Sequence, residues 1–136
     1  MASKQGEGMD KERYERGLKV RREVLGEAHV GRSMAAQDDY NKALQDMIIE
    51  WGWGSAWAAG GLPRRERSIM NLGMLAALGR WHEFEVHCNG ALNNGVTPEE
   101  LKLALWQTVI YCGVPTASQA FQHAARVLKE RGLKPA

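Results

Sequence analysis

GLPRRERSIMNLGMLAALG, residues 61–79, is the stretch whose reading decides the fold. Pro63 suits a first helical turn, because its ring presets φ and its missing N–H would be unpaired there in any case. Gly79 closes the segment. Between them, Ile69 to Leu78 is apolar on nearly all sides apart from Asn71, the pattern of a helix surrounded by other elements. A run of about ten apolar residues is too short to cross a bilayer, which takes about twenty. The segment is therefore expected at the centre of a helical bundle or of an oligomer.

The flanking segments repeat this punctuation. Trp81 to Asn93 predicts a helix ended by Gly95, and Thr97-Pro98-Glu99-Glu100 is a capping box, with Thr97 at the N-cap and Glu100 at N3, opening a helix through about Tyr111. Gly113 stops that helix and Pro115 starts another, which carries Ala117, Ala120, Phe121, Ala124, Val127 and Leu128 on one face and frays at Gly132. Towards the amino terminus, Asp10 can cap a first helix whose stripe is Tyr14, Leu18, Val24 and Leu25 and whose stop is Gly26. Its five basic residues, Arg13, Arg16, Lys19, Arg21 and Arg22, read either as a solvated face or as a dock for a partner subunit or an anionic ligand. A second helix fits Asp38 to Trp51, where Tyr40, Leu44, Met47, Ile48 and Trp51 recur at helical spacing. Trp51-Gly52-Trp53-Gly54-Ser55-Ala56-Trp57 then reads as a short, tight connection. Its rings would fill a core or subunit interface, or line a substrate pocket.

No segment alternates with period two, so no sheet is expected. The fold class is all-α: one domain, residues 10–132, built as a bundle of about six helices. A disordered tail, residues 1–9, is expected before it and a short tail, residues 133–136, after it.

Bulk properties narrow the function. At 136 residues the chain can bury one ordinary core, and 44% hydrophobic against 25% charged residues is a globular balance. The formal charge of +2 lacks the basic footprint of nucleic-acid binding. The opening residues have no apolar signal-peptide core, and no run is long enough for a membrane span, which predicts a cytoplasmic protein without a membrane partner. Cys88 and Cys112 sit in no metal or redox spacing and read as reduced thiols.

The densest polar chemistry lies in the predicted fourth helix. Glu83 and His87, four apart, share a face, with His82 one residue off that line and Arg80 at the entrance. A carboxylate beside an imidazole orients the ring and raises its pKa, giving a proton donor near neutral pH. The same spacing is also met in exposed pairs of small structural value. No third ligand follows at metal-binding spacing, so no metal is expected. Arg64, Arg65 and Arg67 cluster at the start of the buried helix, where guanidinium forks suit carboxylates.

Three segments carry a resemblance: GLPRRERSIMNLGML (61–75), HEFEVHCNGALNNGVTPEEL (82–101) and WQTVIYCGVP (106–115), with YERGLKVRREVLG (14–26) also fitting. Together they resemble the carboxymuconolactone decarboxylase family. The resemblance implies an alkylhydroperoxidase D-like (AhpD-like) helical fold, no cofactor and a homo-oligomer, commonly a hexamer arranged as a trimer of dimers. It further implies a small anionic lactone as substrate, decarboxylated to the β-ketoadipate enol-lactone in protocatechuate catabolism. Peroxidase relatives of that fold carry a CxxC pair, a His and an upstream Glu. With His87 on the peroxidase His, those positions fall here on Arg80, Glu83 and Ser68, so the redox parts are absent.

Such a substrate asks for cations to hold a dianion, a donor for an enolate oxygen and a general acid. The resemblance and the spacing together assign catalysis to His87 with Glu83 as its orienter and His82 in reserve. Substrate binding falls to Arg67 and Arg80, with Trp53 as a candidate pocket wall. A related lactone or keto-acid enzyme of the same fold, and a divergent thiol peroxidase using Cys88, remain the alternatives.

Overall fold

The computed structural model describes residues 8–134. Every regular element among them is helical: α1 (Lys11–Leu25), α2 (Glu27–Ala35), α3 (Lys42–Met47), a π-helical segment (Ile48–Trp57), α4 (Arg64–Leu78), α5 (Trp81–Asn93), α6 (Pro98–Trp106), α7 (Thr108–Cys112) and α8 (Val114–Glu130). The expected amino-terminal tail lies outside the described residues through residue 7, as do residues 135 and 136 of the expected carboxy-terminal one. The helices form two compact units, one ending at Leu62 and one beginning at Pro63. No helix among the described residues is long and apolar enough to cross a membrane.

In the amino-terminal unit α1 packs on the π-helical segment. The Asp10 carboxylate accepts from the Arg13 N–H at 3.1 Å, so α1 is capped as its sequence suggests. Gly17 and Gly54 set the closeness of the packing: a Cβ on Gly17 would run into the Ile49 carbonyl, and one on Gly54 into the Arg13 carbonyl. Glu50, buried in this contact, accepts from the Asp10 N–H and from Arg13 Nη1, each at 3.1 Å. The Arg13 guanidinium also lies 4.2 Å over the Trp51 ring.

Several expectations change here. Asp38 and Asn41 each accept from the other's N–H, closing a turn, so the helix expected from Asp38 begins at Lys42. At Ile48 it passes into the wider π form, and 51–57 is helix rather than a tight connection. Gly54 serves close approach to α1 instead of a chain reversal. Tyr40, Leu44 and Met47 are exposed, and α3 buries none of its residues. Gly26, at φ +93°, both ends α1 and begins α2, a helix that the reading of Gly26 as a simple stop passes over.

The carboxy-terminal unit holds the main core. α4 and α5 form an antiparallel hairpin around Gly79, whose φ of +69° closes α4: the Gly79 and Arg80 N–H groups donate to the Ala76 and Leu75 carbonyls at 3.0 and 2.9 Å. Phe84, Cys88, Leu72, Leu101, Leu105 and Val127 fill the space between α4, α5, α6 and α8. Fully burying a ring such as Phe84 is worth about 1.5–3 kcal/mol. The alanine face of α8 is buried as read, at Ala117, Ala120 and Ala124. The capping box at Thr97 and Glu100 forms with both of its bonds.

Two expectations are corrected in this unit. The helix expected to run through Tyr111 breaks at Gln107 into α6 and α7. α4 is not buried all round within the chain: Ser68, Leu72 and Ala76 face inward, whereas Met70, Met74 and Leu78 are exposed.

Candidate active site

The α4–α5 hairpin decides what His87 meets. Its ring is half-buried, and Nδ1 lies 3.4 Å from the Asn71 amide nitrogen of α4. Arg67, also half-buried, stands one turn before Asn71 on the same face of α4, a separation of about 6 Å between neighbouring Cβ atoms. Arg67, Asn71 and His87 therefore follow one another along one side of the hairpin. Asn71 therefore holds the ring from its Nδ1 side. An amide NH₂ at this position donates to an unprotonated Nδ1, whereas an amide oxygen there accepts from an Nδ1–H.

The other sequence-derived residues fall at graded distances. Glu83 is one turn before His87 on α5 and exposed, and Asn71 lies at His87 Nδ1. His82 is exposed and lies five residues from His87, about 140° round an ideal helix. Arg80 is the N-cap residue of α5, exposed, and two turns or about 10 Å of axial rise from His87. Because the hairpin is antiparallel, Arg67 and Arg80 sit towards opposite ends of it. Trp53 belongs to the amino-terminal unit, where it is buried and stacks on Trp57 with centroids 4.9 Å apart.

The sequence groups Arg64, Arg65 and Arg67 at the start of α4 and gives substrate binding to Arg67, and packing assigns partners to the other two. Arg65 is ion-paired with Glu100 at 2.6 Å, which fastens α4 to the cap of α6. The Arg64 carbonyl and the Ser68 hydroxyl both accept from Asn94 Nδ2, at 3.4 and 2.9 Å. Arg64 and Arg67 both lie on the Asn71 side of α4, and Arg67 is the nearer, one turn away. Asn71 itself had a visible signal, being the lone polar side chain in an apolar run, although nothing in the run named its partner.

The thiols sit differently. Cys88 is fully buried in the core, and that burial, with Glu85 nearby as a lesser cause, pushes its thiol far above the usual range. A thiol held neutral is a poor nucleophile. Cys112 is half-buried, and neither is in a disulfide. Elsewhere on α5, Glu85 lies 3.6 Å from both His123 Nδ1 and Arg126 Nη1, while Trp81 stacks on the His123 ring at 4.9 Å. This cluster ties α5 to α8. Among the described residues no three His, Cys, Asp or Glu side chains gather in a way that could hold a metal ion.

The family model described as the carboxymuconolactone decarboxylase family matches residues 42–126, from α3 to within α8. The chain belongs to the carboxymuconolactone decarboxylase family. It is 42% identical to 4-carboxymuconolactone decarboxylase of Acinetobacter baylyi over 126 residues, covering 93% of this chain and 94% of that one. It is also 36% identical to nitrosuccinic acid decarboxylase of Metarhizium robertsii over 107 residues, 79% of this chain and 75% of the relative. The all-helical, AhpD-like architecture of the carboxymuconolactone decarboxylase family is the one observed, and the line of Arg67, Asn71 and His87 falls inside the matched region.

Proposed function

We propose that this protein is a carboxy-lyase that converts 4-carboxymuconolactone to the β-ketoadipate enol-lactone without a cofactor. The observation that carries the reading is the His87–Asn71 contact beside Arg67, within a chain aligned along nearly its whole length with a decarboxylase of that lactone. The departing carboxylate sits gamma to the lactone carbonyl across a double bond. When the C–C bond to carbon dioxide breaks, its electron pair moves through that double bond onto the carbonyl oxygen, giving a dienolate. A proton then adds at the alpha carbon.

In this reading Arg67 holds a carboxylate, His87 delivers the proton or donates to the enolate oxygen through Nε2, and Asn71 fixes the ring from Nδ1. Glu83, one turn away on α5, is the orienter that the spacing suggests, and Arg80 contributes at longer range. His82 is the weakest member. The test is carbon dioxide release from 4-carboxymuconolactone by purified, metal-stripped protein, against spontaneous decay and against His87→Ala. Nitrosuccinic acid serves as the competing substrate, and faster turnover of that acid would move the assignment to a related small-acid decarboxylase.

The same proposal includes a cytoplasmic homo-oligomer. From Leu103 to Ala125 there is no Asp, Glu, Lys or Arg, although a quarter of the chain is charged. This run nonetheless exposes Trp106 at 66% and Tyr111 at 79%, together with Leu103, Ile110 and Val114. Large apolar and aromatic groups without charge are the composition of an interface core. A second copy of the chain is the proposed occupant. Trp106→Glu is expected to lower the assembly state in light scattering, and an unchanged mass would remove this face from the interface.

A further inference from the structure

Arg21 is the residue that neither the core nor the proposed mechanism accounts for. It sits on the inward face of α1 between Gly17, Val24 and Leu25, only 7% exposed. Among the described residues its side-chain hydrogen bond runs from Nη2 to Ser33 Oγ of α2, at 2.9 Å. Among the described residues Nε and Nη1 are buried with no hydrogen-bond partner, and no carboxylate is ion-paired with the group. An unpaired buried charge is costly, and native chains rarely retain one without an anion to meet it.

The geometry points to a carboxylate-binding centre in the amino-terminal unit, with Arg21 as its receptor and Ser33 as the latch that holds it in the unliganded state. Nη2 carries two hydrogens and Ser33 takes one, so one full edge of the guanidinium fork remains for a two-oxygen acceptor. Access follows from α2. Val30 is its one buried residue among those described, and Gly26, at φ +93° with open space where a Cβ would stand, joins it to α1 as a hinge. Ser33 lies on α2, so movement of α2 about Gly26 would take this partner away from Nη2.

The choice of a small carboxylate over another oxyanion rests on the decarboxylase reading, whereas the site itself does not. The family model begins at residue 42, after α1 and α2. The alignment with 4-carboxymuconolactone decarboxylase spans 126 of 136 residues and so takes in both helices. The amino-terminal unit is thus shared with a relative that acts on a carboxylated lactone, beyond the segment common to the family.

The experiment is calorimetric titration of the full chain with succinate, and with inorganic phosphate as a second probe, in wild type, Arg21→Lys, Arg21→Met and Ser33→Ala. Succinate is expected to bind wild type, to bind Arg21→Lys at least about 10-fold more weakly because the fork is lost, and to leave Arg21→Met unbound. Ser33→Ala is expected to bind more tightly, having no latch to displace. Equal binding by wild type and Arg21→Lys, or none by wild type, would overturn the proposal. Phosphate binding that exceeds succinate would overturn the carboxylate assignment. A loss of assembly in Arg21→Lys without succinate binding would assign Arg21 to a carboxylate of a second copy. Because the readout is binding, carbon dioxide release can fail while this centre stands, and the reverse.

Discussion

Asn71 and His87, sixteen residues apart in sequence, meet at 3.4 Å across the α4–α5 hairpin. That contact holds the His87 ring from Nδ1, and it makes Asn71 a positioning residue for the proposed proton transfer. His87→Ala is expected to lower kcat by at least about 100-fold, since general acid catalysis contributes about 10²–10⁴. Asn71→Leu should lower kcat less while shifting the pH–rate profile, because it removes the group that sets the tautomer. His82→Ala should cost less than either. Steady-state kinetics across pH check all three, and a loss of under threefold in His87→Ala would remove that residue from the site.

Arg67 and Arg80 should differ when replaced. A hydrogen bond to a charged group is worth about 1.5–3 kcal/mol, so Arg67→Ala should raise KM by roughly 10-fold or more. Arg80, two turns from His87 along α5, should show a smaller rise. Glu83→Gln should move the acidic limb of the profile, and an unmoved limb would end its role.

The capping box gives a stability prediction with a defined sign. Glu100 is held below its ordinary carboxylate value of 4.5, first by its bond to the Thr97 N–H and then by Arg65. Since folding lowers this pKa, the stabilisation is complete above pH 4.5 and is lost as pH falls through the folded value. Glu100→Gln should therefore flatten the acid side of a melting-temperature profile. Thr97→Ala should cost about 1 kcal/mol at neutral pH.

Thiol chemistry offers a direct check on the peroxidase alternative. In the folded protein an aromatic disulfide reagent should modify Cys112 and leave Cys88 untouched, because Cys88 is fully buried and its thiol is held neutral. Cys88→Ser should keep decarboxylation while lowering stability. Rapid modification of both thiols in folded protein would contradict this packing.

Gly17→Ala should destabilise the amino-terminal unit strongly, since the added methyl meets the Ile49 carbonyl and the Gly54 backbone, neither of which can yield like a flexible side chain. A thermal melt checks it against Gly31→Ala, where the space is open.

Local chemistry was legible in the sequence wherever a residue acts on its own neighbours. The Asp10 and Thr97 caps, the glycine stops at Gly79 and Gly113 and the alanine face of α8 all formed where the spacing put them, because each depends on contacts within a few residues. The same rule explains the errors. Gly26 carries no mark that it starts a helix as well as ending one, and Trp51 to Trp57 carries none that it continues as π-helix. What only the tertiary structure decided is which polar side chain meets which: Asn71 at His87 Nδ1, Glu100 for Arg65, and Ser33 for Arg21. Helical period places a residue on a face, but the register of the α4–α5 hairpin and the packing of α1 against α2 choose its partner, and those are set by the summed burial of many side chains.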